Sequence, residues 1–231
     1  MSAKITKILL DPGHGGKDGG AWGPTKLKES NVVLTVALKL GVLLKAMNIS
    51  VSYTRTTDVY PSLADRYNQA NREGVDYFIS IHANSDGPTA KGIETLCRTS
   101  NSVAHRLATS VQDAMIAATK DTNRGIKFRT DLAVLNGTKM PAILPEIGFI
   151  SNPATEAEFK KDAYLSVIAG SIRDGIAKFL GGSYPPTPAP ANPAPKPNPE
   201  PEPVPEPEPT TGELTCPHCG EAFGILIVNQ K

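Results

Sequence analysis

The sequence predicts an α/β fold: a single domain with a largely parallel twisted sheet flanked by helices, then a proline-rich linker and a short C-terminal element. Three observations carry this expectation. Short apolar runs alternate with helix-period segments, the pattern in which each strand returns to the sheet through a helix. The last of these helices ends on the glycine stop Gly181-Gly182. Beyond it, residues 185–209 hold 13 of the chain's 21 prolines. Such a stretch has too few backbone donors for helix or sheet and reads as a semi-rigid polyproline spacer. The 231 residues therefore divide into a domain over 1–180, a linker over 181–211 and a C-terminal element over 212–231.

The apolar runs place strands at Ile5–Leu10, Ile49–Thr54, Tyr77–His82, Gly92–Cys97 and Ala142–Ile147. Between the first two, Val32, Val33, Val36, Ala37, Leu40, Leu43, Leu44 and Met47 recur close to every 3.6 residues, which marks one buried helical face. Ser30 and Asn31 are the expected N-caps of that helix, with Glu29 at or just before its first turn, where the helix dipole favours a carboxylate. Further helices are expected from Ser62 through Glu73, from Ser102 to Thr119, and from Ala163 to Leu180. The last of these carries Leu165, Ile168, Ala169, Ile172, Ile176 and Phe179 on one face.

Composition narrows the function classes. A formal net charge of +1 gives no reason to expect a nucleic-acid partner. The average conceals a division, because two of the 24 basic side chains but six of the 23 acidic ones lie beyond residue 180, which leaves the first 180 residues at net +5. No stretch reaches transmembrane length, so membrane insertion is not expected. Met1-Ser2-Ala3-Lys4 runs directly into Ile5–Leu10, too short and too soon interrupted for a secretory apolar region, so the expectation is cytoplasmic synthesis without a signal peptide. The three cysteines, Cys97, Cys216 and Cys219, argue against a disulfide framework.

Four segments carry chemistry. Asp11-Pro12-Gly13-His14-Gly15-Gly16 puts a histidine on a glycine-rich turn after the first strand, and Glu29 heads the following helix. His82 closes Phe78–His82, and Glu146 stands in Pro145–Asn152. Each alone is a weak signal, since a single histidine after a strand is as often structural. Together they share one edge, because the carboxyl ends of strands in an open α/β sheet are where sites assemble. A catalytic zinc takes three protein ligands and keeps one position open. Two histidines and one glutamate suffice for that, which frees the other glutamate to act as a base. The glycines at 13–16 are not a phosphate cradle, lacking the Lys-Ser/Thr that one requires.

These blocks resemble the zinc-dependent N-acetylmuramoyl-L-alanine amidases, which share the Asp-Pro-Gly-His-Gly-Gly opening and a Glu-x-Gly-Phe-x-Ser-Asn close. The resemblance covers residues 5 to about 180 and includes Thr54-Arg55-Thr56-Thr57-Asp58, Leu63, Arg66, Ala70-Asn71, Ser80–Asn84 and Gly92-Ile93-Glu94-Thr95. It implies that His14, Glu29 and His82 bind zinc and that Glu146 is catalytic. The implied substrate is peptidoglycan, cleaved between N-acetylmuramic acid and L-alanine, in a phage lysis enzyme (endolysin) or a sporulation enzyme that reaches the wall after release. The chain departs from the family at Ser30, where Lys often follows the Glu, and at Pro145, where an aliphatic residue is usual. Pro145 implies a strand edge or a bend.

Lesser expectations concern neighbouring polar residues. Arg55, Asp58 and Arg66 are expected to cap and brace the second helix, Asn84 to face substrate or form a turn, and Glu94 to orient a zinc-bound imidazole or lie on the surface. His105 is expected to be solvated. Cys216-Pro217-His218-Cys219 resembles one knuckle of a zinc ribbon without its second pair of ligands. The apolar run Phe223–Val228 needs a strand partner, and both needs would be met by a homodimer sharing a second zinc at Cys216 and Cys219. Two other functions fit the same residues: a carboxypeptidase-type zinc peptidase acting on wall peptides, and a non-catalytic wall-binding module.

Overall fold

The computed structural model describes residues 5–182, 211–215 and 222–226. The chain divides into two units, Met1–Ala191 and Asn192–Lys231. In the first, six strands form one sheet: β1 (Lys7–Pro12), β2 (Ser50–Tyr53), β3 (Tyr77–Asn84), β4 (Ile93–Cys97), β5 (Asn123–Phe128) and β6 (Ala142–Phe149). Their spatial order is β2-β1-β3-β6-β4-β5. The first four in that order run parallel, β4 lies antiparallel to β6, and β5 is parallel to β4. The helices are α1 (Glu29–Ala46), α2 (Leu63–Glu73), α3 (Val103–Thr119), α4 (Ala133–Asn136), α5 (Pro153–Phe159) and α6 (Asp162–Phe179).

Side-chain alternation along the strands builds two unequal layers. Ile8 and Leu10, Ile79, Ile81 and Ala83, and Ile143 and Ile147 join α1, α3 and α6 in the larger core. Leu9, Phe78, Leu96, Ala142 and Leu144 face the smaller core with residues of α2 and α4. Asp11, His82, Glu94 and Glu146 continue the alternation of this second set toward the strand ends. The thin face of the sheet thus changes from apolar to ionisable along β1, β3, β4 and β6, and that change positions the site.

Five strands and four helices fall where the sequence placed them, with ends shifted by a few residues. β5, α4 and α5 were not expected. β5 is an edge strand that is exposed at both ends and only half-buried in the middle, so it lacks the apolar alternation of a buried strand. α4 is one turn long. α5 had a readable signal, Asn152 as N-cap accepting from Ala154 and Thr155 with Pro153 in the first turn.

Two local expectations are corrected. α1 begins at Glu29 with Lys28 at the cap and no side-chain cap, and Ser30 is buried inside the helix. The free amides of Glu29 and Ser30 donate instead to the carbonyls of Ala21 and Gly19, so a folded loop does the work of a capping side chain. Pro145 lies on β6, an interior strand opposite Thr95 of β4. The irregularity comes just after it, where the β3–β6 register shifts between His82 and Asn84 and Gly148 takes φ 144°. That is a bulge beside the site.

In the second unit, β7 (Thr211–Thr215) pairs antiparallel with β8 (Ala222–Leu226). The strand expected at Phe223–Val228 therefore finds its partner within the same chain. The linker over 183–210 and both Cys216 and Cys219 lie outside the described residues.

Candidate metal centre and catalytic carboxylate

His14, Glu29 and His82 converge, each offering one ligand atom within 4.8 Å of the others. His14 Nε2 lies 3.2 Å and His82 Nδ1 3.0 Å from the same oxygen, Glu29 Oε1. The two rings meet edge to face with centroids 4.9 Å apart. The carboxylate is fixed by backbone amides, Oε1 accepting from Ala83 and Oε2 from Ala21. His14 Nδ1 lies 2.8 Å from Asp18 Oδ2, which orients the ring so that Nε2 faces Glu29. Asp18 was not anticipated from sequence, although it follows His14 by only four residues.

Two glycines make the packing feasible. A Cβ on Gly13 would collide with the His82 ring, and one on Gly20 would stand 2.6 Å from Glu29 Oε2 and 2.7 Å from His14 Cδ2. Gly20 also has φ +67°, which suits glycine. His14 itself sits at φ 59°, a left-handed conformation that a non-glycine residue holds only when its surroundings impose it.

Two buried arginines impose it. Arg55 donates to the carbonyls of Pro12, Gly13 and Ser30. Arg66 donates to Pro12 and, at 2.8 Å, to His14. Arg66 also pairs with the fully buried Asp11 at 2.7 Å. Asp58 accepts from the Gly16 amide. These three residues brace the turn that carries His14 and tie it to the start of α1. α2 is capped without them, by the Ser62–Asp65 capping box and by Gly74.

The loop between His14 and Glu29 has a second anchor. Glu156 of α5, 2% exposed, accepts from the Thr25 amide and hydroxyl and from the Leu27 amide. Burial alone would raise its pKa, but these donors hold it below the ordinary value. A depressed carboxylate contributes stability above its unfolded pKa, near 4.5, and loses it as pH falls through the folded value. The stability difference between wild type and Glu156→Gln is therefore expected to be constant above about pH 5.5 and to shrink on acidification, measured by urea unfolding as a function of pH. A difference that grows on acidification would contradict this.

Glu146 faces His82 across β3 and β6 and Glu94 across β6 and β4. Its Oε2 is buried with no hydrogen-bond partner. Burial, with the charges of Glu29 and Glu94, outweighs the attraction of His82 and His14 and pushes its pKa up to about 7. Glu29 behaves oppositely: burial would raise its pKa, but the two histidines hold it far below the carboxylate range. Burial would lower the pKa of His14, but Glu29 and Asp18 raise it to about 9. The cluster thus demands positive charge between its imidazoles and its carboxylate. A divalent cation with nitrogen and oxygen ligands meets that demand, and this donor set suits zinc.

Glu94 touches no imidazole. It accepts from Asn84 Nδ2 at 3.0 Å and from Arg124 Nε at 2.8 Å. His105 is half-buried, with its ring 5.1 Å from that of Phe128. A cavity of about 300 Å³ adjoins the cluster, lined by His14, His82, Tyr60, Leu63, Val134 and Leu144 among others. A larger hollow of about 630 Å³ near Lys91 and Lys120 contains none of the converging residues.

Fold and site together define an α/β protein with a His–Glu–His group that could hold a metal ion and a separate, half-buried glutamate on the same edge of its sheet. The chain belongs to the N-acetylmuramoyl-L-alanine amidase family, which it matches over residues 8–178. It is 37% identical over 192 residues to the endolysin of Bacillus phage SPP1, covering 77% of this chain and 69% of that one. It is 35% identical over 182 residues to the amidase CwlM of Bacillus licheniformis, covering 75% and 68%. Among solved structures, the amidase of Clostridium difficile 630 superposes with TM-score 0.73 at 36% identity, covering 77% of this chain and 97% of that one. The catalytic domain of CwlV from Bacillus (Paenibacillus) polymyxa var. colistinus gives TM-score 0.73 at 34% identity, covering 78% and 100%.

Proposed function

We propose that this chain is a zinc-dependent enzyme of the bacterial wall that hydrolyses the amide between N-acetylmuramic acid and L-alanine in peptidoglycan. The observation that carries the reading is the convergence of His14, Glu29 and His82 beside a buried Glu146 oxygen without a partner. His14, Glu29 and His82 would hold the metal. When bound there, zinc supplies Lewis acidity toward the scissile carbonyl and lowers the pKa of water at the site.

The protein's own part is proton handling and positioning. Glu146 stands where its free oxygen can take a proton from the attacking water and return it to the leaving amine, and a pKa pushed up to about 7 suits both transfers near neutrality. Asp18 holds the tautomer of His14, and Ala21 and Ala83 hold the Glu29 carboxylate. Arg55 and Arg66 fix the turn that presents His14.

The full-length protein is expected to hold about one zinc at this cluster. Chelators should abolish digestion of purified peptidoglycan, and added zinc should restore it. Mass spectrometry should find stem peptides released with a new L-alanine amino terminus. Loss of a C-terminal residue would favour a carboxypeptidase, and binding without release a wall-binding module. His14→Ala is expected to lose both metal and activity, because two ligands hold zinc far more weakly than three. Full activity in a metal-free preparation would overturn the zinc reading.

A second zinc at Cys216 and Cys219, shared with another copy of the chain, is a separate proposal. Sedimentation and zinc content of the wild type and of a Cys216→Ser, Cys219→Ser variant test it. A monomeric wild type with a single zinc would end it.

A further inference from the structure

The two flanks of the site differ in chemistry. The cavity wall is largely apolar, formed by Tyr60, Pro61 and Leu63 ahead of and in α2, Leu132 and Val134 at α4, and Leu144 of β6. Arg66 also lines it, but its guanidinium is engaged by Asp11, Pro12, His14 and Pro61. Away from that wall the polar residues run from Glu146 of β6 and Asn84 at the end of β3 to Glu94 of β4 and Arg124 of β5.

We propose that Arg124, held by Glu94 beside Glu146, receives the free α-carboxylate of the second stem-peptide residue, on the amine side of the scissile bond. This inference rests on the amidase reading and deepens it. Glu94 binds Arg124 through Nε alone, and the guanidinium carbon stacks 4.8 Å from the Phe149 ring centre. The side chain is 39% exposed, and among the described residues its two terminal nitrogens have no hydrogen-bond partner. A guanidinium oriented through Nε and one face offers its outer edge to a carboxylate in the two-pronged geometry that arginine favours.

Charge and reach agree with this assignment. Glu94 and Glu146 face each other on this side, so an anionic peptide would be repelled unless a cation received it. Glu94 faces Glu146 directly across the antiparallel pair, one strand spacing, ~5 Å, away, and Arg124, one strand further out on β5, reaches back past Glu94 to Phe149 at the end of β6. One residue of extended peptide spans about 3.3–3.6 Å, so L-alanine and the residue after it together span about 7 Å and carry the second residue's α-carboxylate past Glu94 toward the Arg124 guanidinium. In stem peptides that residue is glutamic acid joined through its γ-carboxyl, with its α-carboxyl either free or amidated. The apolar flank then falls to the uncharged sugar and lactyl half.

The test compares two muramoyl peptides that differ only in whether this α-carboxyl is free or amidated, with amide cleavage followed by amine release. For full-length wild type, kcat/KM is expected to favour the free acid by about 10-fold or more, the range of a hydrogen bond to a charged group. In Arg124→Gln that ratio should fall to near one, and Arg124→Lys should keep part of it, with zinc content and unfolding midpoint recorded for both. No preference in the wild type, or a preference that survives in Arg124→Gln, would overturn the assignment. So would an equal fall on both substrates, which is the mark of a merely structural arginine. Failure of the wild type to cleave either peptide at the lactyl amide would instead remove the amidase reading and the subsite with it.

Discussion

Glu146→Gln in the full-length chain is expected to retain its zinc and its fold and to lose about 10²- to 10⁴-fold in rate, the usual cost of removing a general acid–base. The amide is close to isosteric but cannot accept the water's proton. Oε2 of the native residue is already buried without a hydrogen bond, so removing the charge takes away a desolvation penalty and no partner. The unfolding midpoint should therefore stay level or rise while turnover collapses. Steady-state rates, metal content and urea unfolding on one preparation check all three points. Zinc loss in this variant would show that Glu146 is a ligand, and the roles of Glu146 and Glu29 would then be exchanged.

The largest stability effect is expected at Arg66. Its side chain is 3% exposed and its partner Asp11 is completely buried. Asp11 also accepts from Thr54 and Ser80. Arg66→Met leaves that carboxylate buried without its cation, a loss of about 3–5 kcal/mol. An Asp11→Asn background should recover part of the loss, because the stranded charge is gone, and a double-mutant cycle in urea measures the coupling. The variant also loses the hydrogen bond to the His14 carbonyl, so weaker zinc retention should accompany the lower stability. A loss below about 1 kcal/mol would mean that Asp11 is solvated or protonated once Arg66 is gone.

Much of the site was legible because its residues sit on local signals. His14 follows a strand on a glycine turn, Glu29 leads an amphipathic helix, and His82 and Glu146 stand on apolar runs that could only be buried strands. Asp18, Glu156 and Arg124 were not legible as partners of the site. Asp18 is close in sequence, but nothing in a run of glycines says that the loop folds back onto the imidazole. Glu156 lies 131 residues from Thr25, and its partners are mostly backbone amides, which leave no trace in residue identity. Arg124 lies on β5, an edge strand with too little apolar content to be recognised.

Arg55, Arg66 and Glu94 show the same division. Their positions in recognisable blocks marked them. Arg66 does hold the Pro61 carbonyl ahead of α2, but most of the arginines' bonds go to the His14 turn. Glu94 pairs with Asn84 and Arg124 rather than orienting an imidazole or lying on the surface. The ends of α2 were satisfied locally by Ser62, Asp65 and Gly74, which released the arginines to longer-range carbonyls.

The sequence by itself determined five of the six strands of the main sheet and four of its helices, the α/β class, the composition of the linker and the candidate residues His14, Glu29, His82 and Glu146. Those depend on periodicity, turn chemistry and residue type, all of which are local. Only the tertiary structure decided that β4 enters antiparallel beside β6, bringing Glu94 opposite Glu146 and Arg124 onto Glu94, and that β8 closes on β7 of its own chain. Strand order and long-range hydrogen bonds are set by which faces must be buried together and which charges must be paired, and those demands are resolved only when the whole chain packs.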